Sequence, residues 1–205
     1  GVCDAPLQLD STRPDVLEAG LRVYNGKPIV NSVNAEDESL NTILPLVKKY
    51  GAAVVGLTLD KDGIPKTAEG RFRLAEKILD KAIEYGIPKE DVYIDCLTLT
   101  ASAEQEAAMV TLDALSRVKK ELGLKTVLGV SNISFGLPNR ETITRTFLTM
   151  ALHSGLDLPI INPNIESIIG AVRAYRLLAC HDKNSAEFIA VYGQETAPPK
   201  AAVAD

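Results

Sequence analysis

Short apolar segments rich in Val, Ile and Leu alternate along the chain with segments in which apolar residues recur at intervals of three and four. The first pattern predicts buried β-strands, and the second predicts helices that cover them. Six such pairs follow one another. Strands are predicted at residues 6–10, 28–33, 52–59, 92–99, 126–131 and 158–162.

Helix-start and helix-stop residues define the segments between these strands. Helices are predicted at residues 14–24, 37–50, 68–85, 103–122 and 141–154, with a last one from about 164 to beyond 178. Pro14 suits a first helical turn, and Gly51 suits the stop after a basic last turn. Ser102 and Gln105 have the spacing of a capping box that would open the fourth helix. Pro45 implies a kink or a late start of the second helix.

Strands that alternate with helices indicate a parallel sheet, for which two architectures compete. A doubly wound sheet usually has a glycine-rich phosphate loop after its first strand, whereas here LDSTRP follows and the next glycine is Gly20. A (β/α)₈ barrel instead places polar residues at the C-terminal strand ends. Polar residues stand at or near six such ends, namely Asp10, Asn31, Asp60, Asp95, Asn132 and Asn162. We therefore predict a (β/α)₈ TIM barrel, although any one of these residues could be a helix cap or turn former.

The barrel predicted here has fewer strands than the fold requires. Six βα units are visible in 205 residues, whereas the fold has eight. We expect the six strands to be the third to eighth of the barrel, with about 60–80 residues for two further units before Gly1. The barrel domain is assigned to residues 1–192, and the Ala/Pro-rich residues 193–205 are expected to be an interdomain linker.

Composition narrows the function classes. The formal net charge is −5 and lysine and arginine do not cluster, so we expect no nucleic-acid partner. No apolar run approaches the roughly 18 residues of a membrane span, and no signal peptide is recognised, so no membrane association is expected. Cys3, Cys96 and Cys180 are isolated, which favours a reducing, cytoplasmic location. With His153 and His181 the only histidines, no metal site is expected.

The candidate chemistry lies in two acids and two amides at strand ends: Asp10, Asn31, Asp95 and Asn132. No nucleophile stands beside a base, since Cys96 follows Asp95 on a strand and points the opposite way. A carboxylate accepts two parallel hydrogen bonds from adjacent N–H donors, and a pterin ring offers such a pair in N3–H and its 2-amino group. An amide can both donate to and accept from the mixed edge of the same ring. The alternative, that Asp10 and Asp95 are helix caps, stays open.

The segment LGVSNISFGLPNRETITRTFLTMAL, residues 128–152, resembles the seventh strand, loop and helix of the pterin-binding methyltransferase family. That family includes the folate-binding domain of cobalamin-dependent methionine synthase and the methyltetrahydrofolate:corrinoid/iron–sulfur protein methyltransferase. The resemblance continues, in order, through LDST, VNS, YID and LPIINPN, and covers the chain to about residue 192. The segment RAYRLLACHDKNSAEFIAVYG looks like the end of a methionine-synthase folate domain, which would lead towards a corrinoid-binding module.

The resemblance implies an enzyme that transfers the N5 methyl group of 5-methyltetrahydrofolate to a cobalt(I) corrinoid held outside this domain, on another domain or protein. It implies that Asn132 hydrogen-bonds N5 of the methyl donor. The other residues implied for the pterin site are Asp10, Asn31, Asp95, Ser131, Gly129, Arg140 and Asn162. No metal belongs to the domain itself. Family members commonly pair, so a homodimer is among the expected assemblies.

Two other functions are compatible with the sequence. Dihydropteroate synthase has a similar pterin site, but it carries a lysine in a Ser-Arg-Lys motif where this chain reads SNISFG, with no Lys or Arg until Arg140. The chain could instead be a non-catalytic barrel fragment that serves as a docking scaffold for the corrinoid domain. The absence of the first two strands motivates this reading, because they supply further polar residues in the family. Folate binding distinguishes an enzyme from a scaffold.

Overall fold

The computed structural model of the chain describes residues 5–193 and contains one parallel sheet. Its six strands lie in sequence order across the sheet, each hydrogen-bonded to the next. They are β1 (Gln8–Asp10), β2 (Ile29–Asn34), β3 (Ala53–Leu57), β4 (Val92–Asp95), β5 (Lys125–Gly129) and β6 (Leu158–Ile160). The alternation of strand and helix and the parallel order confirm the predicted barrel class, of which these strands form a part.

A helix follows each strand, as the apolar spacing predicts. The helices are α1 (Pro14–Val23), α2 (Asp37–Tyr50), α3 (Ala68–Glu84), α4 (Ala107–Arg117), α5 (Arg140–His153), α6 (Glu166–Leu178) and α7 (Ala186–Tyr192). Pro14 occupies the first turn of α1, and Gly51 ends α2 in the left-handed region with φ 65°. Thr67 caps α3 by accepting a hydrogen bond from the Gly70 amide.

The core lies between the sheet and the helices that cover it. The central strand β3 is almost wholly buried, as a strand between two neighbours and under a helix must be. Gly56 lets α3 approach this strand closely, because a Cβ atom there would lie 2.7 Å from Cγ2 of Ile78. This packing fixes the sheet on which the C-terminal strand ends stand.

The sheet is open along its two outer strands. Within residues 5–193, β1 pairs only with β2 and β6 only with β5, so β1 and β6 do not close a six-stranded ring. Leu7, Leu158 and Ile160, which lie on or beside these edges, are exposed apolar side chains. The arrangement agrees with the assignment of the strands as part of an eight-stranded barrel.

The predicted start of the fourth helix differs from the structure. The helix after β4 begins at Ala107 instead of 103, and Ser102 is not its cap, because the Ser102 hydroxyl donates to the carbonyl of Phe135 in the next loop. A π-helical turn, Val118–Leu122, continues this helix to the predicted end. Of the two effects expected of Pro45, a late start is excluded, since α2 begins at Asp37, as predicted, and includes Pro45.

Chain contacts divide the molecule into two compact units, and the division falls between Ile161 and Asn162. The first unit contains the six strands, and the second contains α6 and α7. Apart from Gly193, the predicted linker at 193–205 lies outside the described residues, as does Cys3. None of the helices in the described part of the chain is long and apolar enough to cross a membrane.

Candidate active site

The end of β1 and the middle of β2 bring the first predicted pair together, because Asn31 lies within β2 and not at its predicted end. Asp10 and Asn31 are register partners on the neighbouring strands, and Asn31 Nδ2 donates to Asp10 Oδ2 at 3.3 Å. Asp10 is exposed and Asn31 is half-buried, so both are accessible from the C-terminal edge of the sheet. The Asp10 carboxylate thereby keeps lone pairs for a further donor.

Asp95, the last residue of β4, is buried, with 8% of its surface exposed. Its Oδ1 accepts from the Leu97 amide at 2.7 Å, and its own carbonyl accepts from both the amide and the hydroxyl of Thr58 at 3.1 Å. Burial raises the pKa of the Asp95 carboxyl to about 6, against the opposing effects of the Leu97 amide and the Arg71 charge. The site thus contains a carboxyl group that changes charge near neutral pH.

The hydrogen bond from the Leu97 amide occupies only part of the acceptor capacity of the Asp95 carboxylate. In the part of the chain that the structure describes, the only hydrogen bond to this carboxylate is that of the Leu97 amide to Oδ1. Two carboxylate oxygens provide about four acceptor positions, so a pair of parallel N–H donors can still be bound.

Asn132 lies in a short 3₁₀ segment, Val130–Ser134, directly after β5. Its side chain is exposed, and its backbone carbonyl accepts a hydrogen bond from the Phe135 amide at 3.3 Å. Gly129 makes room for the Asn132 amide, since a Cβ atom at Gly129 would lie 3.2 Å from Nδ2. The neighbouring Ser131 is exposed as well.

The guanidinium of Arg140 holds this loop. Its Nε donates to Ser134 Oγ at 3.1 Å, its Nη2 donates to the Ser131 carbonyl at 3.2 Å, and it stacks 4.3 Å from the centroid of the Phe135 ring. Arg140 therefore fixes the backbone on either side of Asn132. A direct contact of Arg140 with a pterin stays a prediction.

A set of hydrogen bonds, which we call the loop latch, joins the loop after β4 to the loop after β5. The hydroxyls of Thr100 and Ser102 both donate to the Phe135 carbonyl, at 2.6 and 2.8 Å. The Ala101 amide donates to the Ile133 carbonyl at 2.9 Å. The loop latch links the segment that follows Asp95 to the segment that carries Asn132.

Two other strand-end residues act as turn formers. Asp60 Oδ1 accepts from the Asp62 amide at 2.9 Å, and Asn162 Oδ1 accepts from the Asn164 amide at 3.0 Å. Asn162 belongs to the second unit and is exposed, so its place in a pterin site stays a prediction.

Cysteine and histidine are the remaining nucleophilic and metal-binding residue types. Cys96 is buried, and burial raises the pKa of its thiol, which agrees with a packing role. His153 is the last residue of α5, and His181 is exposed. Residues 5–193 contain no group of three or more His, Cys, Asp or Glu side chains that could hold a metal ion.

Sequence reasoning missed Arg71 and the loop latch. The side chain of Arg71 is fully buried and donates to the carbonyls of Cys96 and Leu97, both at 2.9 Å. A signal existed for Arg71, because it precedes Ala75 by four residues and Ile78 by seven on the buried face of α3. The bonds of Thr100 and Ser102 join distant loops and have no local sequence signal.

The sheet topology, with a helix after each strand, defines a partial parallel α/β barrel. Residues 1–162 match the family described as "Pterin binding enzyme", and the chain belongs to that family. The fold and family predictions are thus confirmed.

Named relatives agree with this assignment. The chain is 38% identical over 174 residues to methionine synthase of Mycobacterium leprae, an alignment that covers 78% of this chain and 14% of the relative. It is 26% identical over 185 residues to methylcorrinoid:tetrahydrofolate methyltransferase of Eubacterium limosum, covering 88% of this chain and 68% of the relative. A second methionine synthase, of Mycobacterium tuberculosis, is 36% identical over 170 residues, with 77% of this chain and again 14% of the relative covered. The chain thus spans about one seventh of the length of these methionine synthases.

Solved structures of dihydropteroate synthases share the fold. That of Yersinia pestis with a pterin–sulfa conjugate superposes with a TM-score of 0.70 at 15% identity, covering 87% of this chain and 71% of the other. That of Coxiella burnetii with pteroic acid has a TM-score of 0.65 at 14% identity, covering 88% and 71%. At such identities the similarity establishes the fold alone.

Proposed function

We propose that the chain is the pterin domain, residues 1–192, of a methyltransferase that moves the N5 methyl group of 5-methyltetrahydrofolate to a corrinoid. The observation that carries this proposal is the polar group presented after β5. This group is the neutral side-chain amide of Asn132. The cation of the same loop, Arg140, already contacts Ser131, Ser134 and Phe135. The names of the methionine synthase and methyltransferase relatives support the same reading.

Asp95 and Asp10 are proposed to hold the pterin ring. A carboxylate at either position accepts N3–H and the 2-amino group as a parallel pair, and Asn31, bonded to Asp10, reads the adjoining edge. Such anchoring sets the direction in which the methyl group points, and orientation of this kind accounts for a large part of rate enhancement. Gly129, Ser131 and Asn162 are proposed to border the ring.

Asn132 is proposed to contact N5. A tertiary amine is a poor leaving group, so N5 must gain a proton as its bond to the methyl carbon breaks. An amide has no useful pKa for donating that proton, which must come from solvent or through a hydrogen-bond network. The side-chain carbonyl of Asn132 then accepts a hydrogen bond from protonated N5 and stabilises the developing charge.

The acceptor is proposed to be bound outside this domain and to dock at the C-terminal edge of the sheet. It supplies a cobalt(I) nucleophile that takes the methyl group without its bonding electrons. A cytoplasmic location and a homodimer are parts of the same proposal. The domain itself needs no metal in this scheme.

The proposal is tested by mixing the intact protein with 5-methyltetrahydrofolate and cob(I)alamin and following the cobalt(I) absorbance. Decay of the cobalt(I) signal that requires both folate and protein is expected. A protein that binds folate without any decay would contradict the methyltransferase proposal, and one that binds no folate would support the docking-scaffold reading. Condensation of a dihydropterin with p-aminobenzoate would establish the dihydropteroate synthase reading instead.

A further inference from the structure

A buried positive charge lies directly behind the end of β4. Arg71, on α3, is 1% exposed, and none of the ion pairs among residues 5–193 includes it, although the charges of Glu104 and Asp95 act on it from a longer distance. Its guanidinium instead donates to the Pro65 carbonyl at 3.0 Å, to the Cys96 and Leu97 carbonyls at 2.9 Å and to Thr111 Oγ1 at 2.8 Å. Burial of a charge without a direct ion-pair partner costs free energy. The hydrogen bonds that hold the buried Arg71 guanidinium therefore need an explanation.

Apart from the bond to Pro65, these contacts lie around one residue, Leu97. Leu97 has φ 62°, a left-handed conformation that a bulky side chain rarely adopts. Its carbonyl is held by Arg71 and by the Thr111 hydroxyl at 3.0 Å, while its amide donates to Asp95 Oδ1 at 2.7 Å. The two ends of the Leu97 residue therefore connect Arg71 to the Asp95 carboxylate.

We propose that Arg71 is a positioning residue for the pterin site, which holds Leu97 in its left-handed conformation and thereby fixes the orientation of the Asp95 carboxylate. The inference rests on the proposed role of Asp95 as a pterin anchor. Arg71 touches neither the pterin nor the methyl group and acts through Leu97. Thr111, on α4, assists by bonding both Arg71 and Leu97.

The charge of Arg71 has a second effect on the same carboxyl group. It favours the ionised form of Asp95 and so opposes the burial that raises the pKa of that carboxyl. Glu104 is the other carboxylate whose charge acts on Arg71. The Cys96 thiol lies in the same cluster, but burial raises its pKa and keeps it neutral over pH 5–8. Removal of the Arg71 charge should therefore move the titration of Asp95 to higher pH.

The test compares three variants by calorimetric binding of tetrahydropterin, a probe that binds without any methyl transfer, over pH 5–8. Arg71→Lys keeps the charge but not the fork of donors, Arg71→Met removes both, and Thr111→Val removes only the hydroxyl. We expect all three to bind about tenfold more weakly at pH 8, as the loss of an oriented charge-assisted contact implies. Only Arg71→Met should also move the midpoint of the pH dependence of tetrahydropterin affinity to higher pH, because it alone removes the charge that favours ionised Asp95.

Matched controls separate positioning from general damage. Arg73→Met alters an exposed arginine two residues further along the same helix, and Thr111→Ser retains the hydroxyl. Both should bind as the parent does. If Arg71→Lys and Thr111→Val fold normally and bind with parental affinity and midpoint, the positioning role is overturned. A parent that binds tetrahydropterin but transfers no methyl group would refute the proposed function and leave this inference standing.

Discussion

Asp95 is a carboxyl group that the fold buries without an ion pair. Its pKa is raised from 3.8 to about 6, so the folded protein binds the proton more tightly than the unfolded chain does. The contribution of Asp95 to stability should therefore be most favourable below about pH 4, become less favourable as the pH rises to about 6 and stay constant above that value. A need for the ionised Asp95 carboxylate in ligand binding would explain why the fold keeps a buried carboxyl group that lowers stability at neutral pH.

Replacement of Asp95 by Asn should raise stability and weaken pterin binding together. At pH 7 we expect a gain in unfolding free energy of up to about 3 kcal/mol, which disappears below about pH 4. Pterin affinity should fall by about 2–4 kcal/mol, because an amide donor would then face a ring donor. Denaturant unfolding at several pH values and calorimetry measure the two effects. If Asp95 is only a turn former, binding will not change.

Asn132 is the residue whose loss should affect the chemistry more than the binding. If its amide accepts from protonated N5, Asn132→Ala should slow methyl transfer by about 100-fold, as expected for one hydrogen bond formed in the transition state. Affinity for tetrahydrofolate should change by less than about threefold. Single-turnover kinetics provide the rate, and Asn41→Ala, an exposed asparagine on α2, is the control. An unchanged transfer rate would remove Asn132 from the mechanism.

At the scale of elements, the loop latch couples the segments after β4 and β5. Replacing Thr100 by Val and Ser102 by Ala removes both side-chain donors to the Phe135 carbonyl but leaves the Ala101–Ile133 backbone bond. We expect methyl transfer to slow by about tenfold with a loss of no more than about 2 kcal/mol in stability, because the bonds are exposed. Each single variant should give a smaller effect, since the other hydroxyl remains. Parental kinetics in the double variant would show that the loop latch does not position Asn132.

The positions of the six strands and most helix bounds could be predicted from the sequence because their signals are local. The fourth strand was predicted to reach residue 99, but β4 ends at Asp95, where the Leu97 amide bonds the Asp95 side chain. The buried strand β3 is a continuous apolar run, and α3 repeats its apolar residues at helical spacing. The start of α4 could not be predicted, since Ser102 bonds to Phe135, 33 residues away, instead of capping the helix. Asp10 and Asp95 were identifiable as polar residues at strand ends, whereas Asn31 lies within β2 and Asn132 lies in the 3₁₀ segment after β5. The engagement of Arg140 within its own loop depends on tertiary contacts.

At the scale of the whole molecule, the open edges of the sheet predict further pairing. β1 and β6 each leave one side without a strand within the described residues, and unpaired edges beside exposed apolar side chains favour association. We expect two additional strands to pair with β1 and β6 in the intact protein. Hydrogen exchange should then be slow at the outward amides of both strands, and the 205-residue chain alone should aggregate or dimerise. A stable monomer with fast exchange at these amides would contradict the eight-stranded assignment.

The central claim is that one pterin ring lies across the strand ends with N5 beside Asn132. The most direct test is a crystal structure of the intact protein with 5-methyltetrahydrofolate. We predict that N3–H and the 2-amino group lie within hydrogen-bond distance of the carboxylate of Asp95 or Asp10, and that N5 lies within about 3.5 Å of the Asn132 amide. A pterin bound elsewhere, or one whose N5 faces away from Asn132, would contradict the account.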